Sequence, residues 1–298
     1  MKRCYEQHAF RGGAAALVQH AEKIMDEYAA DGYDLTLRQL YYQFVARDLI
    51  ANNEKNYKRL GDIISKARLA GLLDWDIMVD RTRAVRAVTH WDGPSELVSA
   101  CAKQFRLDSR SDQKGYIEAW VEKEALAGIV VPVCHELDID SLVCRGFVSQ
   151  SAMRQGAMRF KRHENMGQHC VLLYMGDHDP SGIDMTRDIE DRLNQTFGTT
   201  VLVNRIALTM DQVDQFNPPP NPAKQTDSRY TKYVEQYGPE CWEMDALDPR
   251  TLSSIITDAV DVLTDEKRRK RLLRQQDKGR EQLQSIAQRL ADDPKWKP

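Results

Sequence analysis

The chain has 298 residues, of which 42% are hydrophobic and 29% charged, with a formal net charge of −3. That composition describes an ordinary globular protein and carries no bulk sign of a nucleic-acid partner, so any such surface must rest on a local basic patch. Six scattered cysteines without a C-x-x-C pair argue against a zinc site or a disulfide framework. The opening MKRCYEQHAF reads as no signal peptide, and no run approaches the roughly 20 apolar residues of a bilayer span. The expectation is a soluble, cytoplasmic protein with no membrane contact.

Residues 13–30 place Leu17, Ile24 and Tyr28 at helical spacing and predict an amphipathic helix. A second helix follows, with Asp34 or Thr36 as N-cap and Leu37, Leu40, Tyr41 and Phe44 as its apolar face. The stretch YKRLGDIISKARLAGLL, from residue 57, predicts a third helix whose exposed positions include Lys58, Arg59, Lys66 and Arg68. DWDIMVDRTRAVR then reads as a short β-rich hairpin ending in Arg81, Arg83 and Arg86. Three helices and a hairpin are the order of a winged helix-turn-helix, and residues 38–86 hold ten Lys/Arg against six Asp/Glu. Lys58, Arg59, Lys66, Arg68, Arg81 and Arg83 are therefore the candidate DNA-binding residues, the alternative being a merely solvated helical face.

Beyond a polar stretch at 106–115 the pattern changes. YIEAWVE, SLVCR, CVLLYM and VLVNRIAL read as strands, with helical runs between them. A β-α-β-α-β-α-β series predicts a parallel sheet covered by helices, and thus an α/β fold with a boundary near residue 110. A proline-rich loop, NPPPNPAK, leads into a helical tail, whose 267–280 stretch carries eight positive residues against one negative.

Ligands of such sheets gather beyond the carboxyl ends of the strands. There the sequence puts Glu122, after YIEAWV, and Asp177 and Asp179, after CVLLYM, with Glu124 near. Two carboxylates about 4 Å apart repel by roughly 4 kcal/mol at an effective dielectric of 20, so a proton, a cationic side chain or a metal must offset them. Three carboxylates at an exposed sheet end suit Mg²⁺. The alternative is that Asp177 and Asp179 only cap the next helix and form its turn. His178, His163 and His169 are expected to have loop or core roles.

VEKEAL (121–126) followed by GDHDPSG (176–182) resembles a Toprim domain, and TLRQLYYQF (36–44) resembles the tyrosine-bearing helix of the topoisomerase VI A subunit, a family that includes the meiotic double-strand-break protein. CWEMDAL (241–247) resembles that family's closing segment, so the likeness spans nearly the whole chain and is closest to short, stand-alone A-subunit-like forms of mobile elements and phages. Ser181 stands where the family has an aromatic residue, CRGF (144–147) stands where it has a lysine-glycine element, and no ATPase module is present in the sequence.

The resemblance implies a winged-helix domain over 1–110 and a Rossmann-like Toprim domain with a helical tail over 111–298. It implies Mg²⁺ held by Glu122, Asp177 and Asp179, double-stranded DNA as substrate, a homodimer in which tyrosine and metal site meet across the interface, and a possible separate ATPase subunit. Tyr41 continues the apolar stripe and is read as core, while Tyr42 shares a face with Arg38 one turn earlier. Tyr42 is the expected nucleophile and Arg38 the cation that assists it and grips a phosphate oxygen. The alternatives are a Toprim nuclease in which water attacks, and a non-catalytic DNA-binding protein.

Overall fold

The computed structural model describes residues 1–78 and 88–293. Three helices open the chain: α1 (Gly13–Ala30), α2 (Leu37–Ala46) and α3 (Glu54–Leu69). Thr36 starts α2 through a capping box with Gln39, each side chain reaching the other's backbone N–H. Asn53 caps α3 three residues earlier than the sequence suggested, its side chain accepting from Asn56 N at 2.9 Å. The three helices bury a shared core of Ile24, Met25, Tyr28, Leu40, Phe44, Leu60 and Ile64. Of the expected hairpin, Met78 forms a parallel bridge to Leu35, while Arg81, Arg83 and Arg86 lie outside the described residues.

Next comes α4 (Pro94–Gln104), then the α/β series: β1 (Gly115–Val121), α5 (Ala127–Leu137), β2 (Asp140–Val143), α6 (Gln150–Asn165), β3 (His169–Met175), α7 (Pro180–Glu190) and β4 (Leu202–Ala207). The seven expected elements occur in the expected order. The four strands form a parallel sheet in the order β2-β1-β3-β4. The remainder comprises α8 (Met210–Phe216), a short antiparallel pair β5 (Asn221–Pro222) and β6 (Glu240–Cys241), α9 (Tyr230–Tyr237), α10 (Pro249–Val262) and α11 (Glu266–Ala291).

Alternation along the strands divides the core. Ile117, Ala119, Val121, Leu173 and Met175 face α5 and α10, meeting Ile129, Val130, Leu252 and Ile256. Trp120, Leu172 and Tyr174 face the other way, onto Met153, Phe160, Met185 and Ile189. Glu118 sits on this second face, fully buried, with both carboxylate oxygens 2.7 Å from Arg159 and further hydrogen bonds from Trp120 Nε1 and Tyr116. The two-pronged Arg159 pair and the two further donors offset the desolvation cost of this buried charge.

All six cysteines are free. Burial pushes the thiols of Cys134, Cys144, Cys170 and Cys241 up to about 12, while Cys4 and Cys101 are exposed. Only thiolates attack disulfide reagents. At pH 8 a colorimetric thiol reagent should therefore titrate two groups rapidly in the folded protein and six after denaturation. Four or more fast-reacting thiols would contradict this packing.

Candidate active site

The order β2-β1-β3-β4 makes the gap between β1 and β3 the point where the winding reverses, and a ligand crevice is expected beyond the carboxyl ends of those two strands. Glu122 follows β1, and Asp177 and Asp179 follow β3. Together with Arg38, Lys123, Glu243 and Asp245 they line a cleft of about 540 Å³. The sheet thus brings all three sequence-predicted carboxylates to one place.

Their surroundings differ from the expected exposed strand end. Asp177 is only 5% exposed and Glu122 only 9%. Asp177 accepts from Met244 N at 2.9 Å through one oxygen and meets Lys123 Nζ at 2.7 Å through the other, while its own N–H donates to Glu122 at 3.1 Å. Burial holds both carboxyls above the usual range; the Asp177 charge adds to the rise at Glu122, whereas Lys123 and the Met244 N–H oppose it at Asp177. Asp179 caps α7, accepting from Gly182 N at 2.6 Å and from the Ser181 hydroxyl at 3.1 Å. The turn reading of Asp179 is therefore realised, and one of its oxygens is engaged there.

Lys123, Glu243 and Asp245 complete the site and were not singled out from sequence. Lys123 Nζ lies 2.7 Å from Asp177, 2.9 Å from Glu243 and 3.0 Å from Asp245. Burial works against the ammonium, but these three carboxylates hold its pKa above the ordinary value. The charge that offsets the acidic cluster in this arrangement is thus a lysine. The signal was present in the chain: VEKEAL puts a lysine beside Glu122, and Glu243-x-Asp245 repeats the acidic spacing of Asp177-x-Asp179.

A divalent ion can be tested against this donor set. The cleft carboxylates offer only hard oxygens, and Asp245 Oδ1 is buried without a hydrogen-bond partner, which suits Mg²⁺. As they stand, however, no group of three or more His, Cys, Asp or Glu among the described residues is arranged to hold a metal. The chemistry fits, and Lys123 and the Asp179 cap must give way for the ion to be held.

From α2, Arg38 reaches this cleft, while Tyr42 lines an adjoining pocket that shares Arg38, Asn221 and Glu243 with it. Arg38 is bonded to Glu243 and lies 3.5 Å from Asp245. Its guanidinium carbon stands 5.8 Å from the Tyr42 ring centroid. Tyr42 is 3% exposed, and its hydroxyl accepts from Asn221 Nδ2 at 3.2 Å. Burial and the Glu243 charge raise its pKa, outweighing Arg38, Lys123 and Asn221, which lower it. Burial above all, with the Glu243 charge, thus outweighs the assistance expected from Arg38 in this state. Tyr41 is core, as read from its stripe, but its hydroxyl is not idle. It accepts from Asn53 N at 2.8 Å and lies 2.9 Å from Asn52 Oδ1.

His178 is buried between the two aspartates and bonded to the Tyr233 hydroxyl at 2.8 Å, and burial lowers its pKa to about 4. His163 stacks on Tyr116, and His169 begins β3, exposed. On α3, Lys58, Arg59 and Lys66 are exposed, and Lys58 pairs with Glu54 at 2.7 Å. Arg68 departs from the expected exposed row. Its guanidinium stacks 4.3 Å over Trp75 and donates to the carbonyls of Trp75 and Met78 at 3.1 and 3.0 Å, so it fastens the following turn.

No helix of the described residues is long and apolar enough to cross a membrane. In comparisons with known proteins, neither a family model nor a curated protein matches the chain.

Proposed function

We propose that the protein is a Mg²⁺-dependent DNA-cleaving enzyme of the topoisomerase VI A-subunit type, with a winged-helix unit ahead of a Toprim-like α/β unit. The observation that carries this reading is that Arg38 lines the carboxylate cleft and also borders the adjoining pocket of Tyr42, so that a tyrosine, an arginine and a carboxylate cluster drawn from α2, β1 and β3 are neighbours. Tyr42 Oη would bond to a backbone phosphorus while the ester bond to the neighbouring nucleotide breaks. The phenolic proton then ends on the departing oxygen, and the phosphate is left on the tyrosine. Arg38, once released from Glu243, is placed to grip a non-bridging oxygen. Glu122, Asp177 and Asp179 are the residues that would hold Mg²⁺, whose contribution is to neutralise charge developing on the phosphate. Double-stranded DNA is the partner, with Lys58, Arg59 and Lys66 as contacts outside the cleft. A homodimer belongs to this reading, as does a separate ATPase subunit for any strand passage. The family likeness implies that tyrosine and carboxylates meet across the dimer, and within this chain Tyr42 lies in a pocket beside the carboxylate cleft, the two sharing Arg38, Asn221 and Glu243.

A nuclease in which water attacks is the second reading, favoured by the buried, hydrogen-bonded and raised Tyr42 hydroxyl.

Glu122→Gln tests the metal half of the proposal. The amide oxygen can still accept from Asp177 N, so the fold is kept while a ligand charge is lost. Cleavage of supercoiled plasmid at limiting Mg²⁺ should slow by about 100-fold, matching the loss of about 2.7 kcal/mol of charge stabilisation. Equal rates for parent and variant would remove Glu122 from the site. DNA binding without cleavage by either would favour a non-catalytic binding protein.

A further inference from the structure

The basic run in α11 is not used by the cleft. This helix packs mainly through one side: Gln276 Oε1 accepts from Leu107 N at 2.9 Å, the Ala287 carbonyl accepts from the Ser95 hydroxyl at 2.9 Å, and Arg280 Nε donates to the Phe105 carbonyl at 3.0 Å. At 3.6 residues per turn, positions 267, 270, 271, 274 and 278 fall within about 100° of arc on the opposite side, along about 16 Å of helix. Lys267, Lys270, Arg271, Arg274 and Lys278 occupy them, and all five are exposed.

Flanking cations are answered by carboxylates: Arg268 by Asp265 at 3.2 Å, Arg269 by Glu266 at 3.5 Å and Arg280 by Asp277 at 3.7 Å. Within the stripe, Arg271 meets Asp112 at 2.5 Å and Lys270 meets Glu266 at 3.5 Å, whereas Lys267, Arg274 and Lys278 have no ion-pair partner among the described residues.

Helix stability does not account for this arrangement. Lys267 with Arg271, Lys270 with Arg274, and Arg274 with Lys278 are like charges at i,i+4, each costing a few tenths of a kcal/mol. The first of them also crowd cations onto the helix N-terminus, where the macrodipole disfavours positive charge. An external polyanion supplies the missing counter-charge. A membrane surface is a poor fit, since interfacial binding needs a free apolar face and the packed side of α11 lies against α4 and the 105–107 stretch.

We infer that the solvent face of α11 is a second nucleic-acid surface, which tracks the phosphate backbone of duplex DNA without reading bases. It goes beyond the cleft and rests on the proposed function only in the choice of duplex DNA as partner. Cleavage plays no part in it, so a chain that never cuts DNA can still satisfy it.

The test compares the full chain with a K267E/R274E/K278E variant, and with K58E/R59E/K66E as a second arm, by fluorescence anisotropy on a duplex across a salt series. Each lost phosphate contact lowers the slope of log affinity against log salt by about 0.9. The α11 variant should therefore lose two to three units of slope and at least about tenfold in affinity at low salt. Its circular dichroism and melting temperature should match or exceed the parent's, because the changes relieve the 267/271 and 270/274 repulsions and an acidic residue at 267 suits the helix start. Unchanged slope and affinity for duplex DNA overturn the inference. So does a loss seen only with duplex RNA or with an acidic peptide, since either would assign the stripe to a different partner.

Discussion

Tyr42→Phe should abolish the covalent protein–DNA species trapped when a Mg²⁺ cleavage reaction is quenched with detergent, while the parent's adduct survives boiling and disappears with protease. The substitution removes one oxygen and one hydrogen bond, from Asn221 at 3.2 Å, for a stability loss of about 1 kcal/mol. Folding and DNA binding should persist, and the adduct should fall below detection. Tyr41→Phe gives the contrasting result. Its hydroxyl accepts from the backbone N–H of Asn53, the α3 cap, and lies near Asn52, so its loss leaves a capping group short of a partner. That variant should lose about 1–3 kcal/mol and several degrees of melting temperature, yet still form the adduct. An adduct that persists in Tyr42→Phe would move the nucleophile elsewhere. Cleavage without an adduct in parent and variant alike would make water the nucleophile and install the nuclease reading. Arg38→Ala is a less clean test, because it also strips Glu243 and Asp245 of a cation.

The same residues show where sequence reading succeeds and stops. The α/β series was legible because buried parallel strands such as CVLLYM are continuous apolar runs, and the helices between them carry a 3.6-residue period. Asp177 and Asp179 were legible because they end such a strand ahead of Pro180 and Gly182. Gly182 is required by close approach: a Cβ there would stand 2.2 Å from the Asp177 carbonyl oxygen. What could not be read was the partner each charge finds. Lys123 meets Glu243 and Asp245 from 120 and 122 residues away, and no local period encodes that contact. Arg68 carried the right helical spacing for an exposed cation but was claimed by Trp75, whose ring lies beside it only after the chain turns back. Tyr42 lies off the apolar stripe of α2 and is nonetheless buried, because the Asn221 loop covers it.

Lys123→Met should be among the most destabilising single changes in the molecule. In the parent, one ammonium answers Asp177, Glu243 and Asp245, two of which are almost fully buried. Methionine keeps much of the side chain's length and removes the charge, so the carboxylates face one another with Arg38 at their edge and Lys224 on the cleft wall. Breaking a buried ion pair by deleting one partner costs on the order of 3–5 kcal/mol, read as a fall in melting temperature. The sign of its pH dependence follows from the groups left behind. Without the ammonium, the carboxyls are pushed above their unfolded values, so the native state binds more protons and gains stability as pH falls. Glu243, held below its usual range by Lys123 and Arg38 in the parent, acts in the opposite sense there, losing its contribution as pH falls. The stability gap between parent and variant should therefore be widest at pH 7–8 and narrow toward pH 5. Magnesium gives an independent reading. If the carboxylates freed by the substitution bind it, the variant's melting temperature should rise with added Mg²⁺ as RT ln(1 + [L]/Kd) requires, and more steeply than the parent's, whose lysine competes for Asp177. A variant as stable as the parent across this pH range would mean that water, not Lys123, balances the cluster. A large loss that Mg²⁺ cannot relieve would keep the lysine's structural role and remove the cleft's claim to a metal.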